Sequence, residues 1–156
     1  MASRLDRLAP PAGYVIRPLH AGDLADISRV HCRACRIAYR FMGWDYTEEQ
    51  VRDWYAGKLR EWDWGQVACA AGPVVAYLAA SGAHVDQVFV DPDHQGAGLG
   101  SALLTAMLDR QLRPVTLTVF EANAPARAFF EKFGLREVDA WWNEQDHARE
   151  LLYRLD

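Results

Sequence analysis

Hydrophobic residues recur at three- and four-residue steps in the first third of the chain, which is the period of an amphipathic helix. This pattern starts at Asp23 and predicts a helix that ends near Arg40. Thr47, with Gln50 three positions later, forms a capping-box signature and predicts a second helix that ends near Trp62. A short strand over residues 14–19 precedes both helices.

Three successive apolar runs in the middle of the chain predict strands. Residues 66–71 and 74–80 are separated by the turn pair Gly72-Pro73, which indicates a β-hairpin. A third strand covers residues 84–90 and ends in β-branched side chains. Three strands therefore follow the two helices.

The second half of the chain returns to helical spacing and then to strands. One helix is predicted from Leu99 to Arg110 and another over residues 124–133, where Gly134 supplies a stop signal. Strands are predicted over residues 115–120, 135–142 and 147–155.

This order of elements predicts an α+β fold with a single mixed, mostly antiparallel sheet flanked by helices. The strands at 84–90 and 115–120 are joined by a helix and form a right-handed parallel unit inside that sheet. No linker, repeat or charge run divides the chain. We therefore expect one domain over residues 14–156, after a flexible lead-in of residues 1–13.

Composition narrows the function classes. The chain has 156 residues, of which 51% are hydrophobic, and a formal net charge of -4. Phosphate neutralisation requires clustered basic side chains, whereas the arginines are scattered and Lys58 and Lys132 are the only lysines. The most apolar stretch, residues 67–80, is too short and too broken for a membrane span. We expect neither a nucleic acid nor a membrane as partner.

Three cysteines, at positions 32, 35 and 69, cannot all pair within one chain. This odd number fits a reducing compartment, and the N-terminus lacks the continuous apolar core of a secretory signal, so we expect a cytoplasmic protein. Cys32 and Cys35 have C-x-x-C spacing but lie inside a predicted helix without a second pair. No metal site is therefore predicted.

Glycines alternate with other residues at positions 96, 98 and 100, directly before a predicted helix. Glycine lets backbone N–H groups converge on an anion, and the helix N-terminus adds its own unpaired N–H groups and dipole. Such a loop suits a pyrophosphate. The alternative is a flexible turn that binds nothing.

Two other nucleotide-binding motifs fit this loop poorly. A P-loop requires a lysine after its last glycine, and Leu99-Gly100-Ser101 has none. Glu121 lies where a dinucleotide fold would place its ribose-binding acid. However, the glycine spacing differs from that fingerprint, and only 35 residues remain after Glu121. We therefore prefer another pyrophosphate-containing ligand.

The chain resembles the GCN5-related N-acetyltransferase family. That family's signature is Gln or Arg, two residues, Gly, any residue, then Gly or Ala, and it is matched by Gln95-Gly96-Ala97-Gly98-Leu99-Gly100. The preceding Val88-Phe89-Val90-Asp91-Pro92 and the later stretch from Asn123 to Leu135 are similar to the family's strand and its second cofactor-contacting helix. The resemblance spans residues 14–155 and implies the family's acyl-CoA N-acyltransferase fold.

The resemblance implies acetyl-CoA as the acyl-donor substrate. Its pantetheine arm would pair with the strand end, its pyrophosphate would bind the backbone N–H groups of the loop, and the Asn123 amide would contact the pantetheine. Asn123 could equally serve only as the N-cap of its helix, so both roles stay open. The implied donor-binding residues are Val88, Phe89, Val90, Gln95, Gly96, Ala97, Gly98, Leu99, Gly100, Ser101, Asn123 and Phe130.

The implied reaction is direct attack of an amine on the thioester, with a backbone N–H stabilising the oxyanion. Something must take the amine's proton. His84 and Asp86 are the first candidates, because strand alternation would place them on one face with Val88 and Val90. Glu121, at the end of the neighbouring strand, is a further candidate.

Phe130 departs from the family pattern, because many members carry at this position a tyrosine that protonates the leaving thiolate. Either the thiolate leaves unassisted, or a hydroxyl such as Tyr77 or Ser81 substitutes. The loop between the first two helices, residues 39–46, walls the acceptor site in this family. Its aromatic side chains predict a pocket for a small apolar or aromatic amine. The predicted acceptor-binding residues are Tyr39, Phe41 and Trp44.

The predicted function is acetyl transfer from acetyl-CoA to the primary amine of a small molecule or peptide, in a ternary complex. One alternative is an acyl-CoA-binding sensor domain with little catalysis, which the missing tyrosine keeps open. A protein or peptide N-terminal acetyltransferase is another. A homodimer formed through the tail strands remains open beside a monomer.

Overall fold

The computed structural model describes residues 9–156. The lead-in predicted for residues 1–13 therefore lies partly outside the described residues. Within them the chain forms seven strands and four α-helices. The strands are β1 (Val15–Pro18), β2 (Trp64–Cys69), β3 (Val74–Ser81), β4 (His84–Val90), β5 (Val115–Phe120), β6 (Arg136–Asn143) and β7 (Ala148–Leu155). The helices are α1 (Leu24–Ala38), α2 (Glu48–Lys58), α3 (Leu99–Leu108) and α4 (Ala124–Lys132).

All seven strands form one sheet in the order β1-β2-β3-β4-β5-β7-β6. The β4–β5 pair is parallel, and the other neighbouring pairs are antiparallel. The predicted fold, a mixed and mostly antiparallel sheet flanked by helices, is thereby confirmed. The single parallel pair follows from the crossover through α3, because strands joined by a helix run in the same direction.

Two apolar clusters cover the two faces of the sheet. On one face, side chains of α3 and α4, such as Leu103 and Phe130, pack against β5 residues such as Leu117. On the other, Ile27 of α1 and Tyr55 of α2 pack with residues of β2 and β3. The sheet is therefore buried between two helical layers in its centre, where β3 is the most completely buried strand.

Helix ends show where local signals succeed. The predicted capping box is present, because the Thr47 Oγ1 accepts from the Gln50 N–H at 3.2 Å and the Gln50 Oε1 accepts from the Thr47 N–H at 2.9 Å. The first helix begins after a 3₁₀ turn, at Leu24, and ends at Ala38. The second ends at Lys58, earlier than predicted, because the following residues turn into β2.

The two parallel strands separate soon after they meet. Their register has one pair, His84 opposite Thr116, and the Thr116 N–H donates to the Ala83 carbonyl at 3.1 Å. The C-terminal part of β4 therefore has no β5 partner in the described sheet. A gap between adjacent strands opens here in the middle of the domain.

A bulge in β4 corrects one expectation. Ala79 lies opposite Gln87 while Ala80 lies opposite Val85, so Asp86 is an extra residue in β4. Val85, Val88 and Val90 join the cluster on the α3 side, whereas Asp86 bonds to Trp62 on the α2 side. The prediction that His84 and Asp86 share a face with Val88 and Val90 is wrong, because a bulge interrupts the two-residue alternation.

Candidate active site

The glycine loop follows β4 and forms the start of α3. Gly96 and Gly98 have φ angles of +81° and +86°, which lie in the left-handed region that disfavours side chains. Gly98 is the N-cap of α3, and the loop from Gln95 to Gly98 is exposed. The first N–H groups of a helix have no intrahelical partner, so this loop can bind an anion.

Ionic contacts from α1 hold the base of this loop. The Arg33 Nε lies 3.0 Å from Asp91 Oδ2, and its Nη2 lies 2.7 Å from Asp93 Oδ2. Asp91 is buried, and its Oδ1 accepts from the Asp93 N–H at 2.9 Å. Arg33 is not among the residues predicted from the sequence, because nothing in the local sequence links α1 to a loop that lies 60 positions later.

A pocket of about 550 Å³ lies on the opposite face of the sheet from α3, beside the gap between β4 and β5. The α1–α2 loop, α2, both strands and the β6–β7 turn contribute to its walls. The lining residues are His31, Tyr39, Met42, Trp44, Tyr46, Gln50, Val51, Trp54, Asp86, Gln87, Phe89, Thr118, Val119, Phe120, Gln145, Asp146 and Glu150.

Aromatic rings make up much of this wall. Tyr39 and Trp44, two of the predicted acceptor-binding residues, line the pocket. Phe41 does not line it: its ring packs edge-on against Tyr39 and Phe120 and is 45% exposed. Phe41 instead lines a second cavity of about 460 Å³, which shares Met42, Trp44 and Tyr46 with the first.

Three carboxylates face the pocket, and no lysine or arginine is among the lining residues. Asp86 accepts from the Trp62 Nε1–H at 2.7 Å, and its Oδ2 lies 3.9 Å from the Lys58 Nζ. Glu150 accepts from the Trp141 Nε1–H at 2.9 Å. The third is Asp146 of the β6–β7 turn. This charge distribution favours a positively charged guest.

The three predicted catalytic residues occupy different places. Asp86 lines the pocket, because the bulge turns it toward α2. The His84 Nδ1 lies 2.8 Å from the Thr116 Oγ1, at the point where β4 and β5 meet, outside the lining set. Glu121 forms an ion pair with Arg149 at 2.8 Å and is also outside that set.

His31 of α1 lines the pocket and is not among the site residues predicted from the sequence. It is 7% exposed, and its Nδ1 lies 2.6 Å from the Tyr55 hydroxyl, which in turn is bonded to the Tyr77 hydroxyl. Burial lowers the pKa of His31 to about 4, so the imidazole is neutral at pH 7. His31 lies four residues after Ile27, on the apolar stripe of α1, so the sequence pattern predicts a core residue at this position.

Asn123 lies at the start of α4, and Phe130 lies within that helix. The Asn123 Oδ1 accepts from the Ala126 N–H at 3.4 Å, as an N-cap does. Phe130 is 6% exposed and packs against Phe129 in the core. Of the two substitute hydroxyls, that of Tyr77 is buried and bonded to Tyr55, and that of Ser81 donates to the Glu61 carbonyl at 2.6 Å. Neither lines the pocket.

Neither a metal-binding cluster nor a membrane-spanning helix is found among residues 9–156. No group of three or more His, Cys, Asp or Glu side chains in this part could hold a metal ion. No helix in the same range is long and apolar enough to cross a membrane. The cysteines at positions 32, 35 and 69 are free and buried.

Comparisons with known proteins give consistent relatives. Residues 33–135 match the description "Acetyltransferase (GNAT) family". The peptidyl-lysine N-acetyltransferase YjaB of Escherichia coli K12 is 27% identical over 111 residues, 71% of this chain and 74% of that protein. The solution structure of apo-form YjaB has a TM-score of 0.74 at 24% identity, with 90% of this chain and 96% of that chain covered. The ribosomal-protein-S18-alanine N-acetyltransferase structure from Escherichia coli has a TM-score of 0.70 at 21% identity, with coverage of 91% and 92%.

Proposed function

The chain belongs to the acetyltransferase (GNAT) family and is an N-acetyltransferase, and from this premise we propose that it moves an acetyl group from acetyl-CoA to a primary amine. The acceptor amine is part of a small molecule or a peptide, and the two substrates meet in a ternary complex. The gap between β4 and β5 is the observation that carries this proposal, since it lies between the glycine loop and the acidic aromatic pocket.

The donor is proposed to enter from the glycine-loop side. Its pyrophosphate would bind the backbone N–H groups of residues 96–101, where two glycines adopt left-handed φ angles. Its pantetheine arm would pair with β4 at residues 88–90, which lack a β5 partner. An amide-containing arm is suited to this edge, because unpaired strand N–H and C=O groups accept an added strand.

The acceptor is proposed to occupy the pocket on the other side. A primary amine is protonated in water at neutral pH, and Asp86, Asp146 and Glu150 would attract it. Aromatic faces stabilise both an ammonium group and an apolar stem. The name of the similar YjaB protein, a peptidyl-lysine N-acetyltransferase, agrees with such an acceptor, since a lysine side chain combines an amine with an alkyl stem.

The catalytic assignments of His84, Asp86 and Glu121 remain predictions. Asp86 is favoured among them as an acceptor-binding carboxylate, because it lines the pocket. His84 is bonded to Thr116 and Glu121 to Arg149, so both would have to change partners to meet the amine. A cytoplasmic location and a homodimer also remain proposals.

Release of the free CoA thiol tests the proposed function directly. Purified protein is incubated with acetyl-CoA and, separately, phenethylamine, 1,4-diaminobutane, free amino acids and a lysine-containing peptide. Thiol release that requires one of these amines supports the proposal. CoA binding without amine-dependent release throughout the panel would instead favour the acyl-CoA sensor.

Trp44→Ala tests the position of the acceptor. The substitution removes one aromatic wall of the pocket without touching the glycine loop, so we expect the KM for the amine to rise about tenfold. The Kd of CoA should stay unchanged. Trp142→Ala is the matched control, because Trp142 is 56% exposed on β6 and outside the pocket lining. Weaker CoA binding with an unchanged amine KM would place the acceptor elsewhere.

Phe130→Tyr tests the need for a general acid on α4. Because phenylalanine cannot donate a proton, the wild-type thiolate leaves without help from this position, and a hydroxyl here should leave kcat unchanged or raise it. The variant is compared with Phe133→Tyr, one turn later on the same helix end. A large loss of kcat with intact CoA affinity would contradict the assignment of Phe130 to the position of the family's general acid.

A further inference from the structure

A buried hydrogen-bond chain leads from β3 to the wall of the pocket. The Tyr77 hydroxyl is bonded to the Tyr55 hydroxyl, which lies 2.6 Å from the His31 Nδ1 and 3.4 Å from the Gln87 Oε1. Tyr55 and Tyr77 are fully buried, and burial raises the pKa of both hydroxyls. Both tyrosines therefore stay protonated, and the chain contains only neutral groups and the imidazole.

The protons of this chain can be assigned without leaving a buried group unpaired. When Tyr55 donates to the Gln87 Oε1, its oxygen can accept from both the Tyr77 O–H and the His31 Nδ1–H. The neutral imidazole then has its lone pair on Nε2. When Nε2 gains a proton, none of these hydrogen bonds has to change. Because Gln87 accepts the Tyr55 proton, the same set of hydrogen bonds is present around the neutral imidazole and around the imidazolium.

His31 lines the pocket, and its Nε2 is the ring nitrogen that the contact with Tyr55 leaves open. Among the hydrogen bonds described for residues 9–156, both that involve the ring use Nδ1. Neither ring nitrogen of His31 is among the fully buried side-chain nitrogens and oxygens of that range that lack a hydrogen-bond partner, which fits an accessible Nε2. The rings of Trp44, Trp54 and Phe89 surround the imidazole at centroid distances of 4.8 to 6.0 Å.

We propose that His31 is the group that accepts the proton of the acceptor amine, a role that rests on the proposed acetyl transfer. The bound ammonium first loses one proton to water, and the neutral amine nitrogen then attacks the thioester carbonyl carbon and forms the C–N bond. The proton on that nitrogen passes to His31 Nε2, the C–S bond breaks, and the electron pair leaves with the CoA thiolate. The imidazolium then returns its proton to the thiolate or to water, which restores the neutral ring.

The protonation state of His31 suits this role. Its pKa is lowered by burial to about 4, so the ring is neutral at pH 7, and the tautomer with its proton on Nδ1 has its lone pair on Nε2. The charged groups that share the pocket are carboxylates, from β4, β7 and the β6–β7 turn, and these stabilise an imidazolium when it forms. On its own helix the titratable residues within four positions are the buried thiols Cys32 and Cys35, and Arg29 and Arg33, which are paired with Asp26 and with Asp91 and Asp93. The nitrogen becomes strongly acidic once the C–N bond forms, so a weakly basic acceptor suffices.

His31→Gln is the decisive variant, assayed with the panel amine that gives the highest wild-type rate. General-base catalysis contributes typically at least 100-fold, so kcat at pH 7 should fall by about 100-fold. The log of kcat should then rise with pH with a slope of about one, because hydroxide replaces the lost base. The Kd of CoA should be unchanged. The control is His20→Gln, because the His20 side chain is 64% exposed in the segment before the 3₁₀ turn that precedes α1.

Several outcomes would overturn the assignment. A loss of kcat that is the same at every pH indicates a packing role for His31. Unchanged kcat in His31→Gln together with a large loss in Asp86→Asn would make Asp86 the base. If no amine is acetylated by the wild type, the proposed function fails first, whereas wild-type activity with an insensitive His31→Gln refutes only this inference.

A measurement on the wild type covers the case in which His31→Gln does not fold. Long-range proton–nitrogen NMR distinguishes an imidazole Nε2 that carries a lone pair from one that carries a proton. In the free enzyme at pH 7 we expect the His31 proton on Nδ1 and the lone pair on Nε2. A proton on Nε2 would make His31 a hydrogen-bond donor to the acceptor and would rule out the base.

Discussion

Replacing Gly98 with valine should weaken acetyl-CoA binding by about 100-fold or more, while the protein remains folded. Gly98 has a φ angle of +86° at the N-cap of α3, a conformation in which a β-branched residue is strongly strained. Space is not the obstacle, since an added Cβ would meet only the Pro11 Cγ, at 3.7 Å. The backbone itself must rotate, and the N–H groups of residues 99–101 then no longer converge on the pyrophosphate.

Gly82→Val provides the control for strain alone. Gly82 has a φ angle of +57° in the turn before β4, at the other end of that strand from the glycine loop, and an added Cβ would meet nothing within 4 Å. Both variants should lose about 1–2 kcal/mol of unfolding free energy. Isothermal titration with CoA should show weak binding only in Gly98→Val. Equal weakening in both would mean that the loss is global.

The fold was predictable because its signals are local. Capping at Thr47, the turn at Gly72-Pro73 and the stop at Gly134 each depend on a few neighbouring residues, and the structure has an element boundary at each. The glycine loop was predictable for the same reason, since left-handed φ angles and a helix start lie within six residues. Periodicity then defined the order of strands and helices.

The site was less predictable because it depends on contacts between distant residues. The bulge at Asp86 arises from the β3–β4 register, which strand alternation alone does not reveal. His31 lies on the apolar stripe of α1, so its access to the pocket is visible only once Tyr55 and Tyr77 are placed beside it. Phe41, by contrast, belongs to the predicted loop but lines the adjoining cavity and not this pocket.

Helix α1 connects both halves of the proposed site. His31 faces the pocket, while Arg33, two residues later, binds Asp91 and Asp93 at the base of the glycine loop. Because successive helical residues point in different directions, one helix can contact both sides of the gap between β4 and β5. Small shifts of α1 would therefore change the donor loop and the acceptor pocket together.

The buried imidazole should also make the protein less stable in mild acid. In the unfolded chain His31 titrates near its ordinary pKa of 6.5, whereas burial lowers its pKa in the folded protein to about 4. Above pH 6.5 the His31 ring is neutral in both the folded and the unfolded protein, so it contributes nothing to the pH dependence of the unfolding free energy. As the pH falls below 6.5, only the unfolded state binds the proton, so unfolding becomes easier until about pH 4, where the folded state binds it too.

This difference corresponds to a loss of about 3 kcal/mol of unfolding free energy between pH 7 and pH 4 from His31 alone. Urea unfolding across this range should show the loss in the wild type and in His20→Gln, whose ring is largely exposed. In His31→Gln the pH dependence should be smaller by about that amount, whatever its stability at pH 7. Carboxylates also titrate near pH 4, but they are common to all three proteins and cancel in the comparison. An identical slope in His31→Gln and the wild type would mean that the folded protein lets His31 take up its proton freely, through an opening of the pocket wall on the unbound enzyme.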